Sequence, residues 1–144
     1  VHNSLKSRLD PATGETITEV AELSTTETNS AIKAAYAALP TLRSMTGRER
    51  SGLLRAWHKQ IQDNAEDLAT LITWENGKPL ADAKGEVAYA NSFFEWFAEE
   101  APRANGQTIL PSSPGRRVYT IKEPVGVCGL ISRFMNLKYF NARC

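Results

Sequence analysis

An excess of either charge is missing from this sequence. Seventeen Lys and Arg stand against sixteen Asp and Glu, leaving a net charge of +1. That balance gives no electrostatic ground for a nucleic-acid partner or an anionic membrane surface. Cysteine is nearly absent, with only Cys128 and Cys144. Two thiols build no disulfide framework, and their spacing matches no zinc motif. A reducing compartment is therefore expected: the cytoplasm, with the mitochondrial matrix as the alternative. No apolar run approaches the roughly 18 residues of a membrane span. The opening Val1-His2-Asn3-Ser4-Leu5-Lys6 lacks the apolar stretch of a secretory signal, and no targeting segment is recognisable. It also lacks an initiating Met, so a processed or incomplete chain is expected. There is no Gly-rich phosphate loop. Gly126 and Gly129 are spaced G-x-x-G, which is not the dinucleotide fingerprint, and read as small residues that admit a close-packed helix.

What is present suits a soluble globular piece. Hydrophobic residues make up 42% of the 144 and charged residues 23%, enough to bury a core and against global disorder. Asp10-Pro11-Ala12-Thr13-Gly14-Glu15 reads as a turn, and Thr16 to Leu23 as a short strand. Ser24-Thr25-Thr26-Glu27 has the form of a capping box. Ile32, Ala35, Tyr36 and Leu39 follow on one helical face, and Pro40 is expected to end that helix. Thr46-Gly47-Arg48-Glu49 repeats the capping pattern ahead of Leu54, Trp57 and Ile61. Asn64 is placed to cap a third helix, with Leu68, Leu71 and Ile72 as its stripe and Gly77 as its stop. Pro79 suits the first position of a fourth helix. There Ala83, Val87, Ala90, Phe94, Phe97 and Ala101 step by four and three in one apolar stripe until Pro102. Pro111 to Gly115 reads as a turn and Arg117 to Lys122 as a strand. Val125 to Ile131 is almost wholly apolar, which predicts a strand buried on both faces, as in a parallel sheet.

Chemistry is harder to place. His2 and His58 read as surface histidines. Asp82, Glu86, Glu99 and Glu100 fall on the polar side of a helix and are expected to be solvated. The Arg48, Arg50 and Arg55 group reads as helix surface. Cys128, inside the apolar run, is expected to act as a small buried hydrophobe, and Cys144 offers a surface thiol without a catalytic setting. No catalytic residue and no metal ligand set emerges.

Four segments in order resemble the aldehyde dehydrogenase superfamily. Asp10 to Glu15 resembles its N-P-A-T-G-E element, and Glu75-Asn76-Gly77-Lys78-Pro79-Leu80 is similar to its E-N-G-K-P-L turn. Ser92-Phe93-Phe94-Glu95-Trp96-Phe97-Ala98-Glu99-Glu100-Ala101 resembles a helix of the succinate-semialdehyde dehydrogenases. Glu123 to Ile131 is similar to the first core strand of the cofactor domain. The likeness covers about residues 10 to 131. Beyond it the family continues T-P-W-N-F-P, whereas this sequence reads Ser132-Arg133-Phe134-Met135-Asn136-Leu137. Met135 takes the place of the family's oxyanion-donating Asn. Asn136 lies one residue late, and a one-residue slip in an extended segment turns a side chain to the opposite face.

The resemblance implies an α/β fold: the helical N-terminal part of a Rossmann-like cofactor domain, incomplete. It divides the chain into a partial cofactor-binding domain over residues 1–131 and a divergent tail of no assigned domain over 132–144. Its middle helices would pack on the cofactor domain, and Arg117 to Lys122 would lead towards an oligomerisation hairpin. The intact family member would be a homo-oligomer that oxidises succinate semialdehyde to succinate with NAD or NADP. Ile131 and Ser132, at the end of the first core strand, are the expected cofactor-contacting positions. The catalytic Cys and Glu of the family have no counterpart here, so this chain alone is expected to be inactive. The alternative is a non-catalytic piece that pairs with an intact subunit or aggregates, since a buried-type strand left uncovered is an edge ready to pair.

Overall fold

The computed structural model describes residues 4–130. Two antiparallel strands open the chain, β1 (Ser4–Leu9) and β2 (Thr16–Glu22). The turn between them is closed by Asp10. Its carboxylate accepts from the backbone N–H of Ala12 at 2.7 Å, and its backbone pairs with Gly14 and Glu15. β1 was not anticipated from the sequence. Its Lys-Ser-Arg interior lacks the β-branched residues that mark a strand, and it is held by register with β2.

Four helices follow: α1 (Thr25–Ser44), α2 (Gly47–Asp63), α3 (Ala65–Asn76) and α4 (Leu80–Glu100). Both capping boxes form as the sequence predicts. Ser24 accepts from Thr26 while Glu27 reaches back to the Ser24 backbone, and Thr46 and Glu49 do the same for α2. Pro40, expected to end α1, instead lies inside it. A proline removes its own N–H and crowds the preceding turn, but Thr41 to Ser44 resume the helix beyond it. Asn64 does not cap α3 with its side chain. Its amide donates to the Gln60 carbonyl at 2.8 Å and so closes α2. Gly77 stops α3 at φ 66, the left-handed conformation that a side chain resists. Pro79 sits one position ahead of α4.

The core lies between α2, α3 and α4. Leu54, Ile61, Ala69, Ile72, Ala83, Val87, Phe94 and Ala98 bury together. Phe94 and Ile72 are about 1% and 0% exposed, and Trp57 lies against Phe94 with ring centroids 4.9 Å apart. Complete burial of such side chains contributes roughly 1.5–3 kcal/mol each. Gly47 lets the start of α2 meet the 3-10 turn Ala101–Arg103. A Cβ there would stand 2.7 Å from the Ala101 carbonyl oxygen and 2.9 Å from Pro102 Cα. α1 is different, since none of its residues is buried; Ile32 and Tyr36 are exposed.

Beyond α4 regular structure thins. A short hairpin, β3 (Thr108–Ile109) with β4 (Val118–Tyr119), replaces the longer strand expected over Arg117 to Lys122. Val125 to Leu130 is not a buried strand. It carries no strand pairing, and Val125 is 87% exposed. An apolar run becomes a parallel strand only when neighbouring strands and helices cover it, and the described residues supply neither. The described sheets are both two-stranded and antiparallel. The parallel sheet of the expected α/β fold is therefore not present among them, and what stands is a mostly helical unit with two hairpins.

Candidate functional site

A concavity lies beside α4. It is a shallow cavity of about 360 Å³ lined by His58 and Gln62 of α2, Glu66 of α3, and Lys84, Asn91 and Glu95 of α4. His58 is half-buried rather than fully exposed, and its Nδ1 lies 3.2 Å from the Asn91 carbonyl oxygen. Lys84 and Glu66 close one side as an ion pair at 2.7 Å. The Ser92 hydroxyl donates to the Tyr89 carbonyl at 2.7 Å. The cavity thus has an imidazole but no thiol, and its serine proton is already committed. Nucleophilic catalysis needs an activated nucleophile beside a base, and this arrangement does not provide one. Among the described residues no group of three or more His, Cys, Asp or Glu could hold a metal ion. No described helix is long and apolar enough to cross a membrane.

The expected cofactor positions, Ile131 and Ser132, lie outside the described residues, as does the tail 132–144. The segment leading to them is described as far as Leu130. Cys128 is exposed rather than buried, with its Sγ 3.7 Å from the Gly126 carbonyl oxygen. Nothing lies within 4 Å of a Cβ built on Gly126 or Gly129, so no described helix packs against either glycine. A dinucleotide site needs a parallel strand running into a helix N-terminus, where backbone N–H groups meet the pyrophosphate. The described residues do not form one, and they do not fit NAD or NADP.

The sequence motifs do meet in space. Pro11, in the first hairpin turn, packs over Gly77: a Cβ there would fall 3.2 Å from Pro11 Cγ. Lys78, the next residue, pairs with Glu86 at 2.7 Å, and the two side chains are 27% and 10% exposed. This corrects the expectation that Glu86 is solvated. The pair ties the turn after α3 to the second turn of α4. The available signal was the placement of Glu86 beside Val87 on the edge of the apolar stripe. Arg50, expected on the surface, is half-buried and donates to the Met45 carbonyl at 2.6 Å.

A hairpin whose turn seats on the α3–α4 corner, followed by a helical layer, is an architecture with known counterparts. The chain belongs to the aldehyde dehydrogenase family, whose model matches residues 2–136. That span is wider at both ends than the stretch over which the four motifs were read. The glutarate-semialdehyde dehydrogenase of Pseudomonas putida is 53% identical over 123 residues, which is 85% of this chain and 26% of that protein. The NADP-dependent succinate-semialdehyde dehydrogenase of Saccharomyces cerevisiae is 51% identical over the same length, 25% of its own. The crystal structure of succinate-semialdehyde dehydrogenase from Burkholderia pseudomallei superposes with a TM-score of 0.82 at 46% identity. The match covers 87% of this chain and 26% of that one. The chain therefore spans about a quarter of the length of these relatives.

Proposed function

We propose that this chain is the N-terminal portion of a semialdehyde dehydrogenase, and that the complete polypeptide oxidises succinate semialdehyde, or its one-carbon-longer homologue, to the acid with NAD or NADP. The observation that carries this reading is the identity of 53% and 51% to enzymes named for those two substrates. The segment Ser92 to Ala101, whose sequence resembles the succinate-semialdehyde subtype, adds support. Residues 1–131 then form the incomplete start of a Rossmann-like cofactor domain, and 132–144 a tail outside it. The complete enzyme works as a homo-oligomer in the cytoplasm or the mitochondrial matrix. Bound to the complete enzyme, NAD or NADP would supply the hydride acceptor. The residues described here would contribute framework to that reaction: Lys78 with Glu86, and Pro11 over Gly77, hold one corner of the helical layer.

By itself the chain is inactive as a dehydrogenase. It has no activated nucleophile and no dinucleotide cradle among its described residues, and large rate enhancements need both preorganised stabilisation and a nucleophile. The test is formation of reduced nicotinamide by the purified chain with succinate and glutarate semialdehydes. Turnover above the background of a denatured control would overturn the statement about the chain. Joining the chain to the remainder of a relative and finding activity with an unrelated aldehyde, but none with either semialdehyde, would overturn the substrate class.

A second reading is a non-catalytic piece that pairs with an intact subunit. The exposed apolar side chains grouped along the segment after α4, Leu110 at 94% and Val125 at 87% with Ile109, Val118, Ile121 and Leu130, favour it over a self-contained module, since grouped apolar surface, unlike a single exposed side chain, marks a surface for interaction. Co-purification with full-length enzyme would support it, and recovery only as aggregate would count against it.

A further inference from the structure

Asn and Gly stand side by side twice in the sequence, at Asn76-Gly77 and at Asn105-Gly106. The pairing has its own chemistry. The backbone nitrogen that follows an Asn can attack the side-chain amide, and Gly has no Cβ to obstruct the approach. The structure treats the two pairs differently. Asn76 is the last residue of α3, and the Gly77 N–H donates to the Thr73 carbonyl at 2.8 Å. That nitrogen is committed to the helix terminus.

Asn105-Gly106 is exposed and lies outside helix and strand. Ala104, at φ −70 and ψ 59, makes an inverse γ-turn that the Asn105 N–H closes on the Arg103 carbonyl at 2.7 Å. The Gln107 N–H donates to the Thr120 hydroxyl at 2.9 Å. Between these two donors, the Gly106 N–H has no hydrogen-bond partner among the described residues, and neither has the Asn105 carboxamide. A larger residue at 106 would quench the chemistry, but a Cβ there would overlap the Thr120 carbonyl oxygen. The packing that demands a glycine thus keeps the reactive pair together.

We propose that Asn105-Gly106 is a self-modification site, where Asn105 converts to aspartate and isoaspartate with water as the only co-reactant, while the α3 terminus protects Asn76-Gly77. The Gly106 nitrogen loses its proton and bonds to Asn105 Cγ. The Cγ–Nδ2 bond breaks, and ammonia leaves carrying that proton. Water then opens the five-membered imide. Cleavage at Cγ gives aspartate. Cleavage at the backbone carbonyl gives isoaspartate, which routes the main chain through the side chain and lengthens it by a methylene. Either product adds a carboxylate. No oxidant or reductant is involved, and the assignment does not depend on the dehydrogenase reading.

The test ages the purified chain at neutral and at mildly alkaline pH. Peptide mapping by mass spectrometry then separates the Asn, Asp and isoaspartyl forms at both positions. Conversion at Asn105 is expected to run at least about tenfold faster than at Asn76, where the end of α3 must first open. It rises with pH, because the attacking nitrogen must be deprotonated. In concentrated urea the two rates converge, since neither pair is then held by structure. Asn105→Gln, whose longer side chain needs a six-membered ring, suppresses conversion at 105 and leaves the rate at Asn76 unchanged. Equal rates at the two pairs in the folded chain overturn the proposal, as does a difference that persists in urea. Aspartate formed without isoaspartate would mean direct hydrolysis of the side chain and overturns the imide route.

Discussion

The three helices α2, α3 and α4 bury Phe94, Ile72 and Val87 almost completely, whereas α1, as long as any but one of them, buries nothing. α1 and the core helix α2 begin with the same device, a capping box of a hydroxyl residue and a glutamate. The difference shows that capping starts a helix but does not give it tertiary stability. α1 has an apolar face in Ile32, Tyr36 and Leu39 with little set against it, so apart from the exposed Arg43–Glu123 ion pair at 3.6 Å it contributes propensity and local hydrogen bonds. The core helices add apolar burial, which dominates folding energetics.

That contrast can be broken most forcefully at Phe94. Phe94→Ala is expected to cost about 3–5 kcal/mol, through lost transfer energy and a residual cavity. Urea unfolding of the chain measures it, and a loss below about 1 kcal/mol would mean that the helices are not packed as described. Gly47→Ala comes next. It drives a methyl group into the Ala101 carbonyl and Pro102, and overpacking of that kind costs about 1–3 kcal/mol. Gly52→Ala, with open space around it, serves as the control and is expected to be neutral or stabilising. Thr46→Ala removes the α2 cap and is expected to cost about 0.5–2 kcal/mol by the same assay. Tyr36→Ala in α1 is expected to change stability by less than about 0.5 kcal/mol. A larger loss there would show that α1 is docked.

Acid sharpens the same comparison. The Ser24 hydroxyl, then the Ser24 backbone N–H, hold the Glu27 carboxyl below its ordinary value of 4.5. The Thr46 backbone N–H, then its hydroxyl, do so for Glu49. Both carboxyls titrate lower in the folded chain than in the unfolded one. Their contribution is therefore complete above the ordinary carboxylate range and is lost as pH falls through the lowered folded values. Helicity by circular dichroism should hold from neutrality to about pH 4.5 and decline below it. Glu49→Gln should flatten the part of that decline belonging to α2. An unchanged acid limb would show that the carboxylate is not the titrating group.

Much of this was legible from local signals. Two capping boxes, a glycine stop and a four-three apolar stripe each act over one or two turns, and each placed at least one end of its helix within a residue or two. The misses are those where the deciding interaction is remote. Val125 to Leu130 has the composition of a core strand, yet a strand is made by its neighbours. β1 is made by β2, not by its own residues. Pro40 failed as a stop because propensity weighs one position while the helix is decided over many. Glu86 was misjudged because burial beside Lys78 depends on how the turn after α3 folds back. For the site, the motif resemblance located the family but not a cofactor contact, since Ile131 and Ser132 fall outside the described residues.

The seating of Pro11 on Gly77 has a consequence for exchanging parts between relatives. The two signatures that look separate along the chain, Asp10 to Glu15 and Glu75 to Leu80, are halves of one mortise joint. A graft that carries only one of them across leaves a proline without its recess or a recess without its proline. The natural unit of transplantation is therefore the hairpin together with everything through the start of α4, and a crossover placed between the two should cost more than one placed after Glu100.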